Sequence, residues 1–448
     1  MVYENEKVRG FFSQVEKQVR ALVLVPICQE NKNETITSSG CSVSSRVQEA
    51  LGLARAIRLN VVHYETIHIV VPRPATLFGK GKVETFVHFI NEYHIELVII
   101  DHFLTPVQQR NLEKLWNCKV IDRTALILEI FGDRARTKEG VLQVELAHLS
   151  YQKSRLVRSW THLERQRGGR GFLGGPGETQ IEADRRLLQE KITRIRRELE
   201  TVMKTRALHR AKRKKTSYPV VALVGYTNTG KSTLFNHLSG ADVIAKDMLF
   251  ATLDPTLRKV TLPHGQTILL SDTVGFISHL PTNLIAAFKA TLEEVVEADL
   301  ILHVRDMSDS NHRAHAQDVL KVLSSLSIDI DDTEHIIEVW NKIDLLDKHA
   351  LNVLKTSAKT QLNPAVMVSA LMNDGLDQLL RVIEKRIFGE MQRIECLLKP
   401  HEMALIDWFY DNAGEVVQEG LDDGSITIKA VLTSEAKKRL DHIKQNMN

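Results

Sequence analysis

The sequence predicts a multidomain α/β protein whose central unit is a mostly parallel sheet carrying a phosphate-binding loop. Three observations support this. The chain has 448 residues, more than one hydrophobic core ordinarily organises. Two stretches, Arg20 to Leu128 and Tyr218 to Arg386, alternate short apolar runs with amphipathic ones, the pattern of an open α/β sheet. The second opens with an apolar run, Val220 to Val224, that feeds Gly225-Tyr226-Thr227-Asn228-Thr229-Gly230-Lys231-Ser232. That octapeptide matches G-x-x-x-x-G-K-[ST] between a strand and a helix.

Composition narrows the class. A hydrophobic content of 43% with 26% charged residues is that of a folded soluble chain, not a disordered or membrane-spanning one. Cys28, Cys41, Cys118 and Cys396 show no C-x-x-C spacing, which argues against a zinc site or a disulfide framework and fits a reducing compartment. No apolar run reaches the length of a bilayer span, and the first ten residues lack the apolar core of a secretory signal. The expected location is the cytoplasm, with peripheral membrane association left open. The net charge of +3 hides an uneven distribution along the chain.

In the first unit, residues 1–138, Ala21 to Ile27, Ile67 to Val71, Ile95 to Ile100 and Lys119 to Ile121 read as strands. Ser45 to Ile57, Val83 to Tyr93 and Pro106 to Trp116 read as helices, and Asn31 to Ser44 as a loop. Phe78-Gly79-Lys80-Gly81-Lys82 precedes a helix, where free N–H groups can meet an anion. A turn with solvated lysines is the preferred reading of so short a repeat.

Residues 139–216 change character. Leu142, Leu146, Leu149, Lys153, Leu156, Trp160 and Leu163 alternate by four and three, as do Leu188, Ile192, Ile195, Leu199 and Val202. Each seam is narrow, so the pair predicts a long antiparallel helical hairpin. Thr179 to Glu182 is a capping-box pattern expected to start the second helix. Between them Gly168 to Glu178 is glycine-rich and flanked by Arg165, Arg167 and Arg170, which reads as a thin basic tip. Lys204, Arg206, Arg210, Lys212, Arg213, Lys214 and Lys215 then form a run without an acid. Such runs are usually solvated faces, but joined to the tip this one makes a positive arm suited to phosphate backbones, and RNA is the favoured partner.

Residues 217–390 carry the chemistry. Strands are expected at Val220 to Val224, Arg258 to Leu262, Thr267 to Ser271, Asp299 to Val304, Ile336 to Val339 and Ala365 to Val368, with a hairpin turn at Pro263 to Gly265 making one antiparallel pair. Gly225 and Gly230 free the loop backbone to aim successive N–H groups at phosphate. Lys231 reaches the β- and γ-phosphates, and Ser232 offers a hydroxyl to Mg²⁺. Asp272, Thr273, Val274 and Gly275 close a strand, with Asp272 placed to hold Mg²⁺ and the Gly275 N–H to meet a γ-phosphate. Asn341, Lys342, Ile343 and Asp344 close another. The Asp344 carboxylate can accept from both donor nitrogens of a guanine edge, which adenine lacks, so it selects GTP over ATP. Ser369, Ala370 and Leu371 would add backbone N–H to the base. Residues 391–448 predict a small α+β unit, with strands at Gly414 to Gln418 and Ser425 to Val431 and helices at His401 to Tyr410 and Thr433 to Lys444.

With these motifs in order, the chain resembles the HflX family of GTPases, in the Obg-like branch of translation-factor-related GTPases. Three segments carry the resemblance: Phe250-Ala251-Thr252-Leu253-Asp254-Pro-Thr256, Asp272 through Phe276 to Pro281, and the arm Glu139 to Ala147 with Gly174 to Arg186. It covers roughly residues 20 to 390. The resemblance implies that Phe250 to Asp254 form the first switch and that Thr252 joins Ser232 and Asp272 on Mg²⁺. Lys231, Thr252 and Gly275 then carry catalysis. It further implies a monomer that binds the large ribosomal subunit and its rRNA, sets its glycine-rich tip near the peptidyl-transferase region and separates stalled or idle ribosomes.

Two positions depart from the common pattern: Trp340 precedes Asn341, and Met372 to Gly375 stand where a Thr-Gly-Glu-Gly run is frequent. The residue after Gly275 is Phe276, where many GTPases keep a water-orienting Gln, so unassisted hydrolysis is expected to be slow and stimulated by the ribosome. An RNA-remodelling ATPase with a second site near Gly79 to Lys82 is the alternative, and a non-catalytic GTP scaffold the third reading.

Overall fold

The computed structural model describes residues 18–28, 42–166, 176–214, 218–240, 249–250, 252–253, 256–278, 292, 294–330, 332–360, 365–421 and 424–447, with backbone alone at 157–166, 176–181, 206–214, 359–360, 401, 435 and 445–447. Most of the glycine-rich tip, Lys215, Ala251, Asp254 and most of the Asn31 to Ser44 loop therefore lie outside the described residues.

The first sheet joins β1 (Arg20–Cys28), β2 (Asn60–Ile69), β3 (Leu97–Ile100) and β4 (Lys119–Asp122) in the order β2-β1-β3-β4, every neighbour parallel. Because side chains alternate along a strand, Ala21, Val23 and Val25 face α1 (Val43–Ala56) and α4 (Arg123–Arg134). Leu22 and Leu24 face α2 (Lys80–Glu92) and α3 (Pro106–Trp116) on the other side. Local chemistry starts the helices. Thr105 and Gln108 close a capping box with Pro106 behind it, and the Asp122 carboxylate accepts the Ala125 N–H at 2.8 Å to start α4. Gly79 is the N-cap of α2, and Lys82 pairs with Glu65 at 2.6 Å, so one lysine of the Gly-Lys repeat already has a carboxylate.

The strand expected at Ile67 to Val71 is β2, and it begins seven residues earlier and stops at Ile69. Val70 and Val71, 71% and 75% exposed, lie beyond it. As an edge strand β2 keeps His63, Tyr64 and Glu65 half-buried or exposed, so its start carries no apolar run.

α5 (Lys138–Gln166, 29 residues) and α6 (Pro176–Lys214, 39 residues) form the hairpin, closed by Leu142, Leu149, Ile192 and Ile195 with Leu146, Leu188, Leu199 and Val202 beside them. At about 1.5 Å per residue the helices run roughly 40 and 60 Å. α6 starts at Pro176, three residues before the expected cap, so Thr179 lies inside the first turn. Proline at a first helical position costs no hydrogen bond.

The second sheet has six strands ordered β10-β9-β8-β5-β7-β6: β5 (Val220–Val224), β6 (Thr256–Thr261), β7 (Thr267–Asp272), β8 (Leu300–Asp306), β9 (Ile336–Asn341) and β10 (Val366–Met367). Only β6 with β7 is antiparallel, through the turn at Pro263 to Gly265. α7 (Lys231–Ser239) and α10 (Leu376–Phe388) cover one face, and α8 (His312–Ser325) the other; α9 (Lys348–Thr360) packs at the β9–β10 end. β5 lies between β8 and β7, so the loop after it emerges where the connections diverge, the place where open α/β sheets bind ligands.

The last sheet is antiparallel, ordered β11-β13-β12: β11 (Met391–Leu398), β12 (Val416–Gly420) and β13 (Ile426–Thr433), covered by α11 (Leu405–Asn412) and α12 (Ser434–Met447). β11 is additional to the two strands expected. Its inward Ile394, Cys396 and Leu398 alternate at period two.

The first two sheets share one core. Phe131 of α4 meets Phe250 edge-on at 4.7 Å and 76°, within a buried cluster that also holds Val23, Val47, Ala222, Tyr226, Phe276 and Ile277. Among the described residues no helix is long and apolar enough to cross a membrane.

Trp116, 2% exposed, fills the far face of the first sheet, its ring edge-on to Phe86 at 6.0 Å and its N–H donated to the Val83 carbonyl at 3.1 Å. Trp116→Ala is expected to cost about 3 to 5 kcal/mol, read as a lower urea midpoint.

Candidate nucleotide-binding site

β5 is apolar and buried because sheet neighbours flank both edges, and the chain must reverse sharply at its end. A Cβ at Gly225 would stand 2.2 Å from the Val304 carbonyl, and at Gly230, with φ of +90°, 2.3 Å from Asn341 Nδ2. Only glycine fits either place. Thr229 Oγ1 donates to the Tyr226 carbonyl at 3.0 Å, and Asn228 at the apex is exposed with φ of +59°.

Lys231 opens α7 and is buried, its Nζ donating to the Tyr226 and Gly225 carbonyls at 2.7 and 3.1 Å. Burial lowers its pKa to about 8, against the pull of Asp272. Gly275 packs on this group: a Cβ there would meet Nζ at 3.2 Å and the Thr227 Cα at 3.0 Å.

Ser232, Thr252 and Asp272 converge. Asp272 Oδ2 accepts from the Ser232 and Thr252 hydroxyls at 2.7 and 2.8 Å, and those hydroxyls lie 2.9 Å apart. Oδ1 of the same carboxylate is buried without a hydrogen-bond partner, and burial raises its pKa. Two hydroxyls and a carboxylate, one of whose oxygens is orphaned, are a hard-oxygen donor set, which fits Mg²⁺.

The base-side loops interlock. Asn341 Nδ2 donates to the Thr229 carbonyl at 2.8 Å while its Oδ1 accepts the Ala370 N–H at 3.0 Å. Asp344, in the short 3₁₀ turn Ile343–Leu345, accepts from Ser369 Oγ at 2.6 Å. Lys342 adopts φ of +63° and pairs with Asp306 at 2.7 Å, and Leu371 is 68% exposed. Trp340 is buried among Met307 and Ala358, with its N–H on Glu338 at 2.8 Å.

Other expected site residues keep their side chains elsewhere. Phe250, Leu253 and Val274 are buried in the shared apolar core, and Thr273 Oγ1 donates to the Leu223 carbonyl at 2.6 Å. Tyr226 stacks on His315 at 3.9 Å and turns its hydroxyl to Glu49 and Ser278. Phe276 is buried, its N–H donated to the Gly225 carbonyl at 3.0 Å and its carbonyl accepting the Thr227 N–H at 2.7 Å.

One neighbour had escaped the sequence reading. His303 of β8, buried with both ring nitrogens unpartnered, lines a small cleft with Tyr226, Thr229, Asp306, His312 and His315. Its signal was a lone histidine in the apolar run Leu300 to Val304.

A mostly parallel sheet with a phosphate loop on its inner strand, a hydroxyl–carboxylate cluster beside it and interlocked base-side loops defines the P-loop GTPase class. Residues 220–342 match the family model described as 50S ribosome-binding GTPase, and residues 44–132, 134–213 and 353–446 match GTP-binding GTPase N-terminal, GTP-binding GTPase Middle Region and HflX C-terminal domain. The GTPase HflX of Magnetococcus marinus is 48% identical over 384 residues, 86% of this chain and 87% of that one. That of Escherichia coli is 42% identical over 408 residues, 91% and 92% of the two chains. The chain belongs to the HflX family of GTPases and is a GTP-hydrolysing enzyme. Among solved structures, a GTP-binding protein from Sulfolobus solfataricus in complex with GDP aligns with TM-score 0.44 and 22% identity, over 83% of this chain and 99% of that one.

Burial pushes the pKa of His303 from 6.5 down to about 4. As pH falls below 6.5 the unfolded chain takes up a proton that the folded chain refuses until about pH 4, so stability is present above 6.5 and lost across that window. The full loss is on the order of 3 kcal/mol. His303→Leu is expected to flatten this part of the stability–pH curve, measured by urea unfolding from pH 7 to pH 4.

Proposed function

We propose that this enzyme is a Mg²⁺-dependent switch whose GTP form binds the large ribosomal subunit through the hairpin, splits stalled or idle ribosomes, and is released on hydrolysis to GDP. The observation that carries the reading is the residue after Gly275. The Phe276 ring can neither donate to nor orient an attacking water, and it is buried, so the geometry that finishes hydrolysis must come from elsewhere, and a partner that orders the switches is the favoured source. The partner's chemistry follows from charge. Lys204 to Lys215 and the arginines beside the glycine-rich tip would put positive charge at the two ends of the hairpin, and rRNA offers the matching phosphates.

Within the site, Ser232, Thr252 and Asp272 would hold Mg²⁺, which neutralises charge on the phosphates, and Lys231 with the Gly275 N–H would meet the γ-phosphate. Asp344 would read the guanine edge, while Asn341 would keep the base-side and phosphate loops in register. Residues 1–138, 139–216, 217–390 and 391–448 would act as sheet platform, arm, motor and docking module of a monomer working in the cytoplasm.

Asp344→Asn exchanges a charge-assisted pair of contacts for a neutral one. GTP and GDP affinity are expected to fall roughly 10- to 100-fold with ATP affinity unchanged, read by equilibrium titration. Purified large subunits are expected to raise GTP turnover more than about tenfold, small subunits not at all, and the effect should weaken steeply with salt. Phe276→Gln should retain that stimulation; a complete loss, or a wild-type rate indifferent to large subunits, would overturn the coupling.

A further inference from the structure

The segment after Gly275 is gripped from outside the nucleotide unit. Every polar group of Ser278, three residues on, is engaged. Its N–H donates to the Tyr226 hydroxyl at 2.8 Å, its carbonyl accepts from Arg123 Nη2 at 3.0 Å, and its Oγ donates to Asp318 at 2.8 Å while lying 2.8 Å from the Tyr226 hydroxyl. Tyr226 is the second residue of the phosphate loop, its ring fixed against His315 and its hydroxyl donated to Glu49 of α1. Arg123, at the start of α4, closes the circuit: it meets Glu49, pairs with Asp101 at 2.6 Å, and Arg46 stands 3.7 Å from the same Asp101. Two arginines and two carboxylates of the first unit thus present one guanidinium and one carboxylate to the phosphate loop and to the switch.

This arrangement goes beyond what adhesion needs. Phe131, Phe250 and the apolar cluster around them already join the two units. A buried ion-pair network seldom adds net stability over apolar packing, because desolvation consumes what the pairing returns. What it does add is position. The Tyr226 hydroxyl sets the height of Ser278, and the strand-like pairing of Phe276 with Gly225 and Thr227 lies directly upstream. Gly275, between that pairing and Asp272, is thereby held against Lys231. We infer that Glu49 and Arg123 are positioning residues for GTP hydrolysis, acting through Tyr226 and Ser278 to hold the second switch against the phosphate loop. The inference rests on the reading of Gly275 as the γ-phosphate contact. In a chain without a water-orienting glutamine, a switch held in place by a neighbouring unit supplies part of the order that the missing side chain would have given.

Tyr226→Phe removes one hydroxyl and keeps the ring stack; Glu49→Gln keeps the shape and removes the charge. Each is expected to lower kcat for GTP about tenfold, the cost of one well-placed hydrogen bond, with the Kd for GDP within about twofold of wild type. Combined, they should cost no more than the worse single change, since both break one chain of contacts. Hydrogen exchange at the Ser278 amide should speed up in Tyr226→Phe without any nucleotide present. A fall in Tm with unchanged kcat, or a GDP affinity that weakens in step with kcat, would overturn the inference, as would unchanged protection at Ser278. If the wild-type chain failed to turn over GTP, the functional reading would fall while the exchange result still decided whether the grip exists.

Discussion

The constraint on which the site depends is the meeting of Gly230 with the Asn341 side chain. The amide sits where a Cβ would be, and it spends both ends on other loops, donating to Thr229 and accepting from Ala370. Phosphate loop, base-side loop and the loop after β10 are therefore one body. At the other end of the phosphate loop, Gly225 lies against the Val304 carbonyl, which locks β5 to β8 without any side chain between them. A ligand spanning these loops finds its contacts at fixed separations, so little ordering entropy is lost on binding.

The parts of the site that were readable in the sequence are those where chemistry demands one residue type at a strand end. Lys231, Ser232, Asp272, Asn341 and Asp344 fall in short local patterns, and the structure brings Ser232, Thr252 and Asp272 within hydrogen-bond distance. The sheets were readable too, because the buried strands Val220 to Val224 and Leu97 to Ile100 leave continuous apolar runs. What escaped depends on distant residues. Glu49 and Tyr226 are 177 positions apart and Arg123 and Ser278 are 155, so no window holds both partners. Phe250 and Leu253 illustrate the same point: their place in a nucleotide-site motif hid that their side chains belong to the shared apolar core, where Phe250 meets Phe131 of α4. The early start of β2 was hidden because an edge strand needs only one apolar face.

The hairpin shows how a long protrusion is made stiff at its root. Asp122, fully buried, caps α4, receives the Tyr151 hydroxyl at 2.8 Å and the Leu104 N–H at 3.3 Å, and pairs with Arg155 at 2.5 Å. The Arg155 guanidinium lies 4.5 Å from the centre of the Tyr151 ring and also reaches the Leu104 carbonyl at 3.2 Å. A single carboxylate thus ties a strand end, a helix start and α5 together. Along the same stretch a single row of Leu, Ile and Val closes α5 on α6, with Leu142 and Leu149 packed against Ile192 and Ile195.

The chain has four tryptophans, and they fall one to each unit: Trp116 under the first sheet, Trp160 in α5, Trp340 beside the Asn341 brace and Trp408 in α11. Trp340 is buried with its indole N–H on a carboxylate, whereas Trp408 sits edge-on to Phe409 at 5.5 Å and 86°. The polypeptide is in effect labelled with an intrinsic fluorophore in every segment. Chains that retain only one of the four would report separately on the first sheet, the hairpin, the nucleotide-site sheet and the last sheet, and loss of coincidence among the four signals would reveal whether the shared core melts as one cooperative block.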